Sequence, residues 1–157
     1  MSSRLEAIHG TQIICRKGCQ DCCRNLTVWP VEFYAIVEEL KTAGHRRLEF
    51  DSEAPCGFLK EGLCQIYPVR PLICRTHGLP VVFRNEQKEP PEMSVSFCEK
   101  NFTDWARDGI CFGPENTLNI DDLNQELCRI HMAFLDESEE KLEPHIRIEL
   151  KDLLKFL

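Results

Sequence analysis

Three things are scarce in this chain of 157 residues. The first is long apolar runs. The longest is Leu79 to Phe83, far short of the about 20 residues that a helix needs to cross a bilayer. The second is basic charge. Lys and Arg total 19 against 26 Asp and Glu, a net charge of −7. Nucleic acids and anionic membranes attract a basic face, so the sequence predicts no nucleic-acid partner and no membrane partner, only an acidic, solubilising surface. The third is recognisable catalytic patterning. No phosphate loop, Ser-His-Asp order or carboxylate pair stands out, so enzymatic activity stays open. The opening residues, MSSRLEAIHGTQ, also lack the apolar stretch of a secretory leader, which predicts a cytoplasmic protein with reduced thiols.

Cysteine, by contrast, is abundant: there are 10. Cys15, Cys19, Cys22 and Cys23 crowd into the string CRKGCQDCC, and Cys56, Cys64, Cys74 and Cys98 follow. In a reducing compartment, thiols this dense point to a soft metal or an iron–sulfur cluster rather than to a disulfide framework. Four sulfurs must converge at about 2.3 Å from a metal, and gaps of two or three residues let one loop supply several of them. The spacing Cys15-x3-Cys19-x2-Cys22 also occurs in radical-SAM enzymes. This chain is too short for their barrel, and a fourth thiol adjoins the triplet. Cys22 and Cys23 are neighbours whose side chains diverge. They therefore serve two centres, or one of them has a role other than ligation.

Periodicity predicts a small α+β domain, mostly helical, spanning residues 1–157, with no internal repeat. A short helix is expected over 5–14. Pro30, Glu32 and Gly44 frame a second helix, with Phe33, Ile36, Val37 and Leu40 on its buried face. CGFLKEGLCQIY reads as a hairpin turning at Lys-Glu-Gly, with Cys56 and Cys64 at its ends. A helical turn over 72–76 and strands in LPVVF and MSVSF follow. The C-terminal extension, 115–157, is expected to be a helix pair. Asn119 or Asp121 caps the first helix, whose face is Leu123, Leu127, Ile130 and Phe134. Pro144 opens the second, with Ile146, Leu150, Leu153 and Leu157 inward, and the acidic turn DESEEKLE joins the two. The irregular, cysteine-rich middle is expected to depend on metal for its stability.

The doublet-ended cluster resembles the YkgJ-type cysteine-cluster family, the CxxCxxCC zinc- or iron-chelating domain. The block CGFLKEGLCQIYPVRPLICRTHGLP is similar to that family's downstream signature, a Cys, a short turn, then C-x-I-Y-x-x-R-P-x-x-C-R. Cys98 in SFCEKNF matches a further family cysteine. The resemblance covers roughly residues 15–101, and the first gap here is three residues rather than two. It implies metal chelation, with Cys15, Cys19, Cys22, Cys23, Cys56, Cys64, Cys74 and Cys98 as ligands for iron, as a [4Fe–4S] cluster, or for zinc. An iron–sulfur oxidoreductase or electron carrier is one alternative. A metal-dependent modifying enzyme related to flagellin lysine N-methylase, which carries a similar cluster, is another.

Arg70 and Arg75 flank Cys74 and are candidates to donate hydrogen bonds to cluster sulfurs and offset their charge. His77 is a candidate substitute ligand. Cys111 reads as a loop or packing thiol. Cys128 and His131, at i and i+3, can face one ion, but packing is the favoured expectation. Tyr67 is expected to pack on the hairpin. Protein partners are not readable.

Overall fold

Proline lacks an amide proton and has a fixed φ, so it suits the first position of a helix. Pro30 takes that position in the computed structural model, which describes residues 2–15, 18–44, 47–139 and 141–157. Arg16 and Lys17 of the first cysteine string, and Glu140 of the expected acidic turn, lie outside the described residues. In chain order the elements are α1 (Ser2–His9), a 3-10 turn (Gly10–Gln12), β1 (Thr27–Val28), α2 (Pro30–Thr42), β2 (Leu59–Lys60), β3 (Leu63–Cys64), a 3-10 turn (Tyr67–Val69), α3 (Leu72–Thr76), β4 (Val81–Asn85), β5 (Glu92–Ser96), β6 (Leu118–Asn119), α4 (Ile120–Glu137), β7 (Ile148–Glu149) and a terminal 3-10 helix (Leu150–Lys155). The fold is mixed, with helices and small sheets. Among the described residues no helix is long and apolar enough to cross a membrane.

The chain divides into two compact units, residues 1–16 with 75–126 and residues 17–74 with 127–157. In the first, β4 and β5 form an antiparallel hairpin in register from Val81↔Ser96 to Asn85↔Glu92. The short β6 pairs in parallel with the other edge of β4. Leu5, Leu79 and Leu118 are buried together there. An aromatic group joins them in the same unit: Phe102 lies 4.9 Å from His9 and 5.3 Å from Phe112, and Phe97 lies 5.2 Å from Phe112. Asn119 caps α4 as expected, its Oδ1 accepting the amides of Asp121 and Asp122.

The second unit holds the larger core. The α2 stripe of Phe33, Ile36, Val37 and Leu40 is buried as its periodicity predicts, and packs with Val28, Phe58, Ile66, Leu150 and Leu153. Gly44 closes the helix in the left-handed region, φ +75°. The β2–β3 hairpin pairs Leu59 with Cys64 and Lys60 with Leu63. Its turn is Glu61-Gly62, both at positive φ, so Lys60 lies in the strand rather than in the turn.

Two expectations are corrected here. The final helix from Pro144 does not form. Ile148 and Glu149 pair with Val28 and Thr27, the Leu150 amide donates to the Leu26 carbonyl, and a 3-10 helix follows. A β-branched alternation, Ile-Arg-Ile, suits a ladder, and Leu150 and Leu153 reach the core without an α-helix. Ile146 is exposed. The α4 face holds Leu123, Leu127 and Phe134 half-buried as expected, but Ile130 is exposed and His131 is the buried residue in its place. Its Nε2 donates to the Pro144 carbonyl at 3.2 Å and its ring stacks on Trp29 at 4.5 Å, while Nδ1 has no hydrogen-bond partner.

A candidate metal centre

Cys23 is set by local turns and then tied to the segment that carries Cys56. Its amide donates to the Gln20 carbonyl at 2.9 Å, and Arg24 Nη1 donates to the carbonyls of Asp21 and Cys23. Two residues on, Asn25 bonds to both flanks of Cys56. Its amide donates to the Pro55 carbonyl at 3.0 Å, and its Oδ1 accepts the Gly57 amide at 2.9 Å. A Cβ at Gly57 would stand 2.3 Å from the Phe50 ring, so any other residue there would have to displace that ring. The hairpin then brings Cys64 in on β3, and both Cys56 and Cys64 pack against the large core. Cys74 is carried by α3. That helix is anchored at its first residue by Glu32 of α2, whose Oε1 accepts the Leu72 amide at 2.9 Å.

Three of these thiols are shifted by their surroundings, and Cys56 acts on each of them. Burial, then the neighbouring Cys22, Cys56 and Cys64, push the Cys23 thiol up to about 11. Burial foremost, with Cys56, Cys64 and Cys23 adding to it, pushes Cys74 up to about 12 against the pull of Arg70. Burial also raises Cys64, opposed by a hydrogen bond from the Ile66 backbone. The one cation acting on all three is Arg70, which lowers each. Arg70 is half-buried. Its Nε donates to the Tyr67 carbonyl at 3.2 Å, and its guanidinium sits 3.7 Å over the Tyr67 ring. Tyr67 is itself exposed, so it steers Arg70 rather than packing the hairpin.

The other predicted residues are placed as follows. Cys22 and Cys19 are exposed, and Cys23 is half-buried. Cys15 and Cys98 lie in the first unit and are half-buried. Asn101 joins the Cys15 segment to two others. Its Oδ1 accepts the Ile14 amide at 3.0 Å, its Nδ2 donates to the Gly78 carbonyl at 2.5 Å and to Cys15 Sγ at 3.6 Å, and its amide donates to the Cys98 carbonyl at 2.8 Å. Arg75 and His77 are exposed. Cys111 is exposed in a loop, and Cys128 is exposed on α4 rather than packed. Asn25, Glu32 and Asn101 were not flagged by sequence reasoning. Single polar residues without a spacing partner carry no motif.

Among the described residues, no three His, Cys, Asp or Glu side chains already stand in a metal-holding arrangement. Cys23, Cys56, Cys64 and Cys74 share a neighbourhood rather than a coordination sphere. Neutral thiols have no mutual attraction and thiolates repel, so it is a cation that draws such a set together and displaces its protons. The donor chemistry fits a thiophilic ion, zinc or iron, and fits hard cations such as magnesium or calcium poorly.

A family model described as "CxxCxxCC: Putative zinc- or iron-chelating domain" matches residues 14–112, and the chain belongs to that family. No curated protein and no solved structure matches it. The block from Cys15 to Cys98 is therefore a zinc- or iron-chelating domain, and metal is its partner.

Proposed function

We propose that the chain holds iron as an iron–sulfur cluster, [4Fe–4S], or in its place zinc, with Cys23, Cys56, Cys64 and Cys74 as the core of the ligand set. The observation that carries this reading is the nearness of these thiols: Cys56 acts on Cys23, Cys64 and Cys74, and Arg70 lowers all three. Four thiolates on zinc leave a net charge of about −2, as they do on an oxidised [4Fe–4S] cluster, and a guanidinium nearby offsets part of it. Cys15, Cys19, Cys22 and Cys98 are the further proposed ligands, and residues 1–157 act as one metal-binding domain. The metal adds stability to the cysteine-rich middle, beyond what Phe58 and Ile66 supply by burial. The compartment is a reducing one, the cytoplasm, where the 10 cysteines stay available as thiolates.

The test is anaerobic purification of the full chain followed by elemental analysis, absorption spectroscopy and reduction. Iron with sulfide and a brown absorption that bleaches on reduction identifies the cluster, and that reversible bleaching is also what an electron carrier requires. Colourless protein with stoichiometric zinc identifies the zinc form. Protein that carries neither metal, and takes up neither on reconstitution, overturns the reading.

A further inference from the structure

We propose that Asn101 is a positioning residue for the Cys15 sulfur, and that with Gly78 it forms a cradle that presents this thiolate to metal. The inference rests on Cys15 being a ligand. Asn101 is fully buried, at 0% exposure, in the first unit. A side-chain amide in that position has three strong hydrogen-bonding elements to satisfy, one acceptor and two donors. The acceptor takes the Ile14 amide, the residue just before Cys15, and one donor takes the Gly78 carbonyl. Those two bonds already join the segments. The second N–H is spent on sulfur, at 3.6 Å from Cys15 Sγ.

The other wall of the cradle is a missing atom. Gly78 sits at φ +88°, and a Cβ built there would lie 2.8 Å from Cys15 Sγ. The sulfur therefore occupies the space that any other residue at position 78 would fill, and the amide points at it. An N–H donor strengthens its bond when the thiol becomes a thiolate and withdraws electron density from a metal-bound sulfur. It therefore fixes the sulfur's direction.

Two substitutions in the full-length protein test this. Asn101→Asp keeps an acceptor for Ile14 and removes both N–H donors, the one to the Gly78 carbonyl and the one to sulfur, and Gly78→Ala places a methyl group directly against the sulfur. Anaerobic titration with Co²⁺, read by sulfur-to-cobalt charge transfer, should show about tenfold or greater loss of affinity in both variants. In metal-free protein, alkylation of Cys15 by iodoacetamide should slow several-fold in Asn101→Asp, relative to the exposed Cys111 of the same chain. It should speed up in Gly78→Ala as the thiol is pushed out. A folded Asn101→Asp with an unchanged Cys15-to-Cys111 ratio overturns the proposal, as does wild-type Co²⁺ binding in both variants. If circular dichroism shows that Asn101→Asp does not fold, Gly78→Ala decides on the same two readouts. If wild-type protein binds no Co²⁺, zinc or iron while the Cys15 ratio still shifts, the metal reading falls and the cradle stands.

Discussion

Cysteine is handled in two different ways in this molecule. In the second unit, Cys56 and Cys64 pack against an apolar core, and the field of the Arg70 guanidinium opposes the cost of charging Cys23, Cys64 and Cys74. In the first unit, Cys15 meets a neutral amide aimed at its sulfur and a glycine that leaves it room. A field acts on every thiol within reach and specifies none. A hydrogen bond acts on one sulfur and fixes its direction. The first arrangement suits a group of ligands that a cation must gather, and the second suits a single ligand placed in advance.

The sharpest way to break that contrast is to remove sulfurs one at a time. Cys23→Ser, Cys56→Ser, Cys64→Ser and Cys74→Ser should each abolish stoichiometric metal, read as metal per chain after anaerobic purification. Cys22→Ser should leave a measurable fraction bound, because Cys22 is exposed where Cys23 is half-buried. Cys111→Ser and Cys128→Ser should bind like wild type. Identical, complete loss from Cys22→Ser and Cys23→Ser would mean a shared polynuclear centre and would erase the distinction drawn between the doublet's members.

Next in size is the apolar support of the gathered group. Phe58 is 1% exposed and sits between the hairpin and α2. Truncating it to Ala should cost about 3–5 kcal/mol in denaturant unfolding of metal-free protein. A loss under about 1 kcal/mol would show that the cysteine-rich segment folds on metal alone.

The effect of pH is smaller and its sign is fixed. Cys23 at about 11 and Cys74 at about 12 hold their protons more tightly in the native state than an ordinary thiol at 9.0. Their contribution to stability is complete below pH 9.0 and is lost as pH climbs toward those raised values. Metal-free protein should therefore melt at progressively lower temperature from pH 9 upward. Metal affinity should instead rise with pH across the neutral range, because binding expels the same protons. A melting temperature that holds constant to pH 11 would show that these thiols titrate as they do in water.

How much of this was legible in the sequence varies with the physics of each element. The α2 stripe was readable because four apolar residues recur at helical spacing and all four are buried. The hairpin and the strands β4 and β5 were readable from turn residues and short apolar runs. The terminal helix was not, because Leu150 and Leu153 fit a 3-10 turn as well as an α-helix, and only the pairing of Ile148 with Val28 decides between them. The α4 face misled because Ile130 outranks His131 in hydropathy, yet His131 has Trp29 and the Pro144 carbonyl to receive it. At the site, the cysteines announced themselves by spacing. Asn25, Glu32 and Asn101 did not, because the side chain of each works through partners more than 20 residues away.

The smallest effect tests the field itself. Arg70 lowers Cys23, Cys64 and Cys74 together, and the Tyr67 carbonyl and ring hold its side chain. Arg70→Gln keeps a polar side chain of similar reach and removes the charge. All three thiols then become harder to deprotonate, so zinc should bind more weakly at pH 7, by about a factor of ten or less for one partly solvated charge. The distinguishing sign is in the pH profile: the rise of affinity with pH should move to higher pH and reach the same ceiling, since the ligands themselves are intact. Added salt should narrow the gap between variant and wild type, because screening weakens the guanidinium's field in the wild type alone. Gly78→Ala should respond to salt far less, since it acts on the Cys15 sulfur by contact and changes no charge. Equal salt sensitivity in the two variants would mean that both thiol settings are governed by charge, and the contrast between field and direct contact would not hold.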